Sequence, residues 1–394
     1  MNDFTLLDNT QMYFGRGKEF EVGKLVKFYG GSRTLIIYND EISQIPGLLD
    51  KVKRALDLSG IEFVELGGVK NNPRLFFIED GVATCIKYNV DFILAIGNAY
   101  CFSAAKAIAA AVYHPAQIKD IFDKDFLLDE ALPIGAIVTV PGCGFVNSGY
   151  MSAVIPKSDG SFRMLSRDNN LLRPRFAILN PELVNNSKQE LVSSLISISA
   201  RVFERYLAPH PAQVLTDRIY ESVMATIFSM WQHLRDIPGD YEAYANIMWS
   251  GIMTNIIPSI ENSAENPALE QVKRGLVSLY DCSRAEALSL ILPAYLEMSI
   301  AKNPQRIALM GNRAFSFELD FQHPENTCYL TLKRLRQFIS QSGLPKTFED
   351  LGGSGADIPK LLELIDMSSG GLLSPGVKFD KTGVEILLSL ILIK

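Results

Sequence analysis

From the N-terminus to Asn180-Pro181 the chain alternates short β-rich runs with stretches of helical spacing, the pattern of a parallel sheet covered by helices. Strands are expected over residues 34–38, 62–66, 91–96, 134–140 and 176–179, with helices at 75–88 and 103–112 among the segments between them. Right-handed crossovers then carry the carboxyl ends of the strands to one edge, where such sheets usually bind ligands. Beyond Asn180-Pro181 the texture changes to long segments of helical spacing at 189–207, 212–234 and 284–301, with few strand signals. The expected division is an α/β domain over 1–181 and an all-α domain over 182–394. Gly352-Gly353-Ser354-Gly355 and Ser368-Ser369-Gly370-Gly371 read as loops between the last helices.

Composition supports two cores. A chain of 394 residues, 47% hydrophobic and 21% charged, has the length and apolar content to fill both domains. The net charge of -6 provides no general field for gripping a phosphate backbone, so no nucleic-acid partner is expected. Cys85, Cys101, Cys143, Cys282 and Cys328 are an odd number, widely spread and without a C-x-x-C pair, which reads as buried free thiols in a reducing compartment. Met1-Asn2-Asp3-Phe4 lacks the basic and apolar start of a signal peptide, and the apolar tail at 386–393 is too short to span a bilayer. The expected location is cytoplasmic, with no membrane partner.

Ordered motifs then resemble one family along nearly the whole chain. Phe14-Gly15-Arg16-Gly17 resembles F-G-x-G, and Leu66-Gly67-Gly68-Val69-Lys70-Asn71-Asn72-Pro73 resembles F-G-G-x-x-x-N-P. Phe176-Ala177-Ile178-Leu179-Asn180-Pro181 is similar to x-A-x-x-D-P, and Leu292-Pro293-Ala294 is similar to an L-P-A inside the helical domain. Together these resemble the iron-containing alcohol dehydrogenase family, in its butanol dehydrogenase-like branch. The resemblance implies a Rossmann-like nucleotide domain with a parallel sheet, an all-α C-terminal domain and a cleft between them for cofactor, metal and alcohol. This is the dehydroquinate synthase-like fold. It also implies a homodimer.

The family's phosphate loop, G-G-G-S-x-x-D-x-x-K, corresponds here to a segment from Gly97 to Lys106 that keeps only the first glycine and the lysine. Asn98 and Ala99 bring β-carbons into a turn expected to need positive φ and close approach, which weakens pyrophosphate binding. After the first strand, Asn39-Asp40-Glu41 places carboxylates that repel a 2′-phosphate and can bond a ribose diol. If a dinucleotide binds, NAD is favoured over NADP, with Asp40 at the ribose. A solvated acidic turn is the alternative reading. In the family's third nucleotide turn, T-x-P-x-T-G-S-E, this chain keeps Thr139, Pro141 and one glycine. Cys143 lies in that turn, and Phe145 and Val146 replace its small and acidic positions.

The family's metal ligands are an aspartate and a histidine four apart on one helix, then two histidines fourteen apart. Aligned on Glu204-Arg205-Tyr206 and on Leu292-Pro293-Ala294, the resemblance puts Ser197, Arg201, Glu270 and Arg284 at those four positions. An arginine offers only donors and stays protonated, so it cannot ligate a metal. All four histidines, His114, His210, His233 and His323, lie elsewhere. No iron or zinc is expected. Two guanidiniums bracketing Glu270 are the expected substitute, in a cleft suited to a small anionic ligand.

Three functions follow as expectations. The first is a family member that has lost the metal and its dehydrogenase chemistry and keeps the fold for ligand binding or assembly. The second is an active NAD(P)-dependent alcohol or aldehyde oxidoreductase. The third is a metal-free enzyme acting on a small anionic substrate, with Glu270 as a base.

Overall fold

A computed structural model describes residues 8–123, 125–142, 144–156, 162–184, 187–208, 214–256, 267–368 and 370–392. Two compact units emerge. One is built from Leu7–Glu190 with Ile237–Asn255, the other chiefly from Leu191–Asp236 with Ile256–Lys394. The boundary falls inside one helix, after Glu190, and a later helix returns to the first unit. The expected division at residue 181 lies just before this boundary.

The first unit contains strands β1 (Gln11–Phe14), β2 (Arg33–Tyr38), β3 (Glu62–Leu66), β4 (Phe92–Gly97) and β5 (Ile134–Val138). It continues with β6 (Tyr150–Pro156), β7 (Phe162–Asp168) and β8 (Phe176–Leu179). Helices α1 (Val22–Phe28), α2 (Leu48–Leu58), α3 (Leu75–Tyr88) and α4 (Ala99–Ala111) connect the strands. Six strands form one sheet in the order β1-β8-β5-β4-β2-β3, every pair parallel. Burial on both faces explains the unbroken apolar run of β4, Phe92-Ile93-Leu94-Ala95-Ile96, all fully buried.

The expected strands at 62–66 and 176–179 match β3 and β8, and the expected helix at 75–88 matches α3. Helix α4 starts at Ala99, earlier than the expected 103, because Asn98 caps it. Strand β1 and the antiparallel hairpin of β6 with β7 were not among the expected strands. A four-residue edge strand and a half-exposed hairpin carry little periodic signal.

At the centre of the sheet, Gly135 on β5 sits opposite Phe176 on β8. The Phe176 ring stacks with Phe92 at 6.1 Å and with Tyr29 at 6.0 Å between centroids. A β-carbon at Gly135 would lie 2.4 Å from Phe176 Cζ, so glycine is what admits the aromatic stack.

The second unit consists mainly of α5 (Lys188–Tyr206) beyond Glu190, α6 (Val214–Asp236), α8 (Pro267–Tyr280), α9 (Arg284–Ile300), α10 (Pro304–Phe315) and α11 (Pro324–Ser342). It ends with α12 (Ile358–Leu364), a short hairpin of β9 (Leu372–Ser374) and β10 (Val377–Lys378), and α13 (Lys381–Ile391). Helix α7 (Tyr241–Ile256) packs with the sheet unit, where Trp249 meets Phe14 edge to face at 6.1 Å. Among the described residues no helix is long and apolar enough to cross a membrane.

Gly135→Ala is expected to cost about 1–3 kcal/mol by overpacking. Urea unfolding of the variant measures it, and an unchanged midpoint would show that the ring shifts freely.

Candidate functional site

In this strand order the chain leaves β2 for β3 on one side and returns to β4 on the other. Connections therefore depart in opposite directions between β2 and β4, the switch point at whose carboxyl ends such sheets bind ligands. Two turns meet there, Asn39-Asp40-Glu41 after β2 and Gly97-Asn98 after β4. Gly97 has φ 139, and a β-carbon on it would meet Cys101 Sγ at 2.7 Å, so this glycine is required.

The expected strain at the next two residues is not found. Asn98 has φ -104 and Ala99 is the first residue of α4. Only Gly97 bears the left-handed backbone, because the chain enters the helix immediately after it. Asn98 is the N-cap, its Oδ1 accepting from Tyr100 N–H at 3.0 Å. The helix terminus thus spends a donor on its own side chain.

Asn98 Nδ2 faces two carboxyl groups, Glu190 Oε1 at 3.2 Å and Glu41 Oε2 at 3.4 Å. Asn39 Nδ2 donates to the same Glu41 oxygen at 2.6 Å. Burial and the neighbouring Glu41 push the Glu190 carboxyl up to about 8. Asp40 is exposed and pairs with Lys70 at 2.8 Å. Lys106 is fully buried and donates to the Phe145 carbonyl at 2.9 Å, so its ammonium holds the following turn. Thr139 is buried at the end of β5, its N–H bonded to the Gly97 carbonyl at 3.1 Å. Cys143 lies outside the described residues.

The second cluster is in the helical unit. Glu270 in the first turn of α8 is 8% exposed and forms an ion pair with Lys273, itself 2% exposed. Arg274 Nε lies 3.3 Å from the other Glu270 oxygen. Spacings of three and four put these side chains on one helix face. Asp281, at φ 50, turns the chain out of α8, and the capping box of Ser283 with Glu286 starts α9. This tight return brings Arg284 Nη2 within 3.7 Å of Glu270.

On α5, Ser197 Oγ donates to the Ser193 carbonyl at 2.7 Å, and Arg201 and Arg205 are buried. Burial raises the Tyr220 phenol on α6, and the positive charges of Arg205 and Arg201 oppose that rise. The structure thus brings Glu270 and Arg284 together and sets Arg201 beside Tyr220. Sequence reasoning missed Lys273 and Glu190. Lys273 carried a usable signal, a lysine three residues after a carboxylate on the same face.

Of the histidines, His114 stacks edge to face on Phe126, His233 lies on α6, and exposed His323 caps α11 with its ring toward Glu325. His210 lies outside the described residues. Among the described residues no group of three or more His, Cys, Asp or Glu is arranged to hold a metal.

Glu270→Gln is expected to destabilise by about 3–5 kcal/mol, since it removes the carboxylate facing buried Lys273. Lys273→Met leaves two guanidiniums on Glu270 and should cost less. Chemical denaturation of both variants tests the order, and a reversed order would deny Glu270 its central place.

The description Iron-containing alcohol dehydrogenase matches residues 9–181, and Fe-containing alcohol dehydrogenase family, C-terminal, matches residues 192–388. The probable NADH-dependent butanol dehydrogenase 1 of Bacillus subtilis is 28% identical over 355 residues, 89% of this chain and 90% of that protein. NADH-dependent butanol dehydrogenase A of Clostridium acetobutylicum is 25% identical over 92% of this chain and 93% of its own length. The crystal structure of NADH-dependent butanol dehydrogenase A from Thermotoga maritima superposes with a TM-score of 0.89 at 25% identity, covering 99% of both chains. Sequence profile, extent of match and fold agree: the chain belongs to the iron-containing alcohol dehydrogenase family.

Proposed function

We propose that this chain has lost the metal and the metal-dependent dehydrogenase reaction of its family, and keeps the fold to bind a small anion or to assemble as a homodimer. The observation that carries this reading is the state of Glu270. By the motif alignment it is the one carboxylate among the four ligand positions, beside Ser197, Arg201 and Arg284. Its oxygens already face Lys273, Arg274 and Arg284.

A divalent ion there would sit against three cations and receive one carboxylate and one hydroxyl, a donor set that does not fit iron or zinc. Family chemistry requires a Lewis acid on the alcohol oxygen so that a hydride can leave for the nicotinamide. Guanidinium and ammonium groups do not supply that, but Arg274 and Arg284, which meet at Glu270, can hold a carboxylate or phosphate through paired N–H donors.

The second reading, an active NADH-dependent alcohol or aldehyde oxidoreductase, is favoured by the names of the Bacillus and Clostridium relatives.

One experiment separates the two. Protein purified without added metal is expected to contain no stoichiometric iron or zinc by mass spectrometry, and to show no chelator-sensitive oxidation of NADH with butyraldehyde. Small carboxylates should raise its melting temperature, and Arg284→Ala should abolish that rise. Stoichiometric metal together with chelator-sensitive turnover would establish the dehydrogenase instead.

A further inference from the structure

The switch point between β2 and β4 is where an open parallel sheet receives a ligand, and the residues built around it are unusual for an anion. An anion seated at a helix N-terminus uses free backbone N–H groups and a nearby cation. Here Asn98 Oδ1 takes the Tyr100 N–H, and Lys106 is committed to the Phe145 carbonyl. What faces the terminus instead is the Glu41 and Glu190 pair on the two N–H bonds of Asn98 Nδ2.

Asn39 holds the pair from the other side: in a residue only 5% exposed, its Nδ2 donates to Glu41 at 2.6 Å. Burial and the neighbouring Glu41 keep the proton on Glu190, which bonds to Glu41.

We propose that Glu41 and Glu190 form a proton-operated barrier to phosphate-bearing ligands at the switch point of the sheet, with Glu190 as the specificity-determining residue. While Glu190 holds its proton, the pair carries one negative charge. When it ionises, two carboxylates face the end of α4, and a diphosphate approaching that end meets both. The other titratable groups nearby do not offset this. Cys101 beneath the pair is a buried thiol whose ionisation is pushed far up by burial, and Asp40 is matched by Lys70. Lys188, two residues before Glu190 at the start of α5, is exposed and at a spacing where helix side chains do not face each other.

The titration has a sign. Glu190 is raised from an ordinary value of 4.5 to about 8. The folded chain therefore binds a proton that the unfolded chain has released between these two values, and stability declines across that window and levels off above it. Phosphate affinity falls as pH rises through the upper value.

The proposal deepens the loss of dehydrogenase chemistry, since above pH 8 it turns away the dinucleotide's phosphates rather than the metal. The two fail separately, because one is read in phosphate binding and the other in metal content and turnover.

The test is calorimetric titration of the full chain with ADP from pH 6 to pH 9.5, for the native protein, Glu190→Gln and Glu41→Gln/Glu190→Gln. Native affinity should drop above pH 8. Glu190→Gln, which keeps the shape and the bonds, should bind ADP on the order of tenfold tighter at pH 9 and lose the pH step. Its melting temperature should also lose the decline between pH 4.5 and 8, which confirms folding and the proton's location together. An identical pH profile in the native protein and Glu190→Gln would overturn the proposal. So would a double variant that binds no ADP at any pH.

Discussion

A parallel sheet buried on both faces sets the terms for the sheet unit. Its strands cannot return by tight hairpins, so each crosses back over a face of the sheet, through a helix or, between β5 and β8, through the β6–β7 hairpin, and every strand then ends at the same edge. Strand order decides where that edge opens. Because the chain passes from β2 outward to β3 and then back to β4, the turns after β2 and β4 diverge and leave room between them. Gly135 has a related duty at the centre, where only a missing side chain allows Phe176 to lie flat among Phe92 and Tyr29.

The two units deal with buried carboxylates by different physics. In the helical unit each is matched by full cations. Asp217 receives two bonds from Arg306, at 2.7 and 3.0 Å, Glu221 one from Arg313 at 2.7 Å, and Glu270 its lysine and arginines. At the sheet edge the partners are neutral carboxamides, Asn39 and Asn98, and the remaining charge is reduced by retaining a proton on Glu190. Cation pairing is insensitive to pH across the neutral range because guanidinium stays protonated. Proton sharing between carboxyls is sensitive to it by nature.

These choices bear on function in the same direction. A carboxylate already matched by cations is a poor metal ligand, and a helix N-terminus already capped and faced by two ionised carboxylates is a poor phosphate seat. Family membership with a TM-score of 0.89 to a butanol dehydrogenase shows how far the backbone has been kept.

Sequence alone determined the class of the fold and the family, because alternating apolar periodicity and ordered glycine and proline motifs are local properties of the chain. It also marked Glu270 and Arg284 as residues to inspect, through the motif alignment with the family it resembles. It did not show Glu190 joining Glu41 and Asn98, since residues from three separate turns and helices meet only when the strand order is known. Nor did it show that Lys106 turns away to a carbonyl, that Asn98 takes an ordinary backbone angle, or that Lys273 completes the Glu270 cluster. Those outcomes depend on which side chains burial forces together and on how each buried charge finds its partner, and only the tertiary structure decides that.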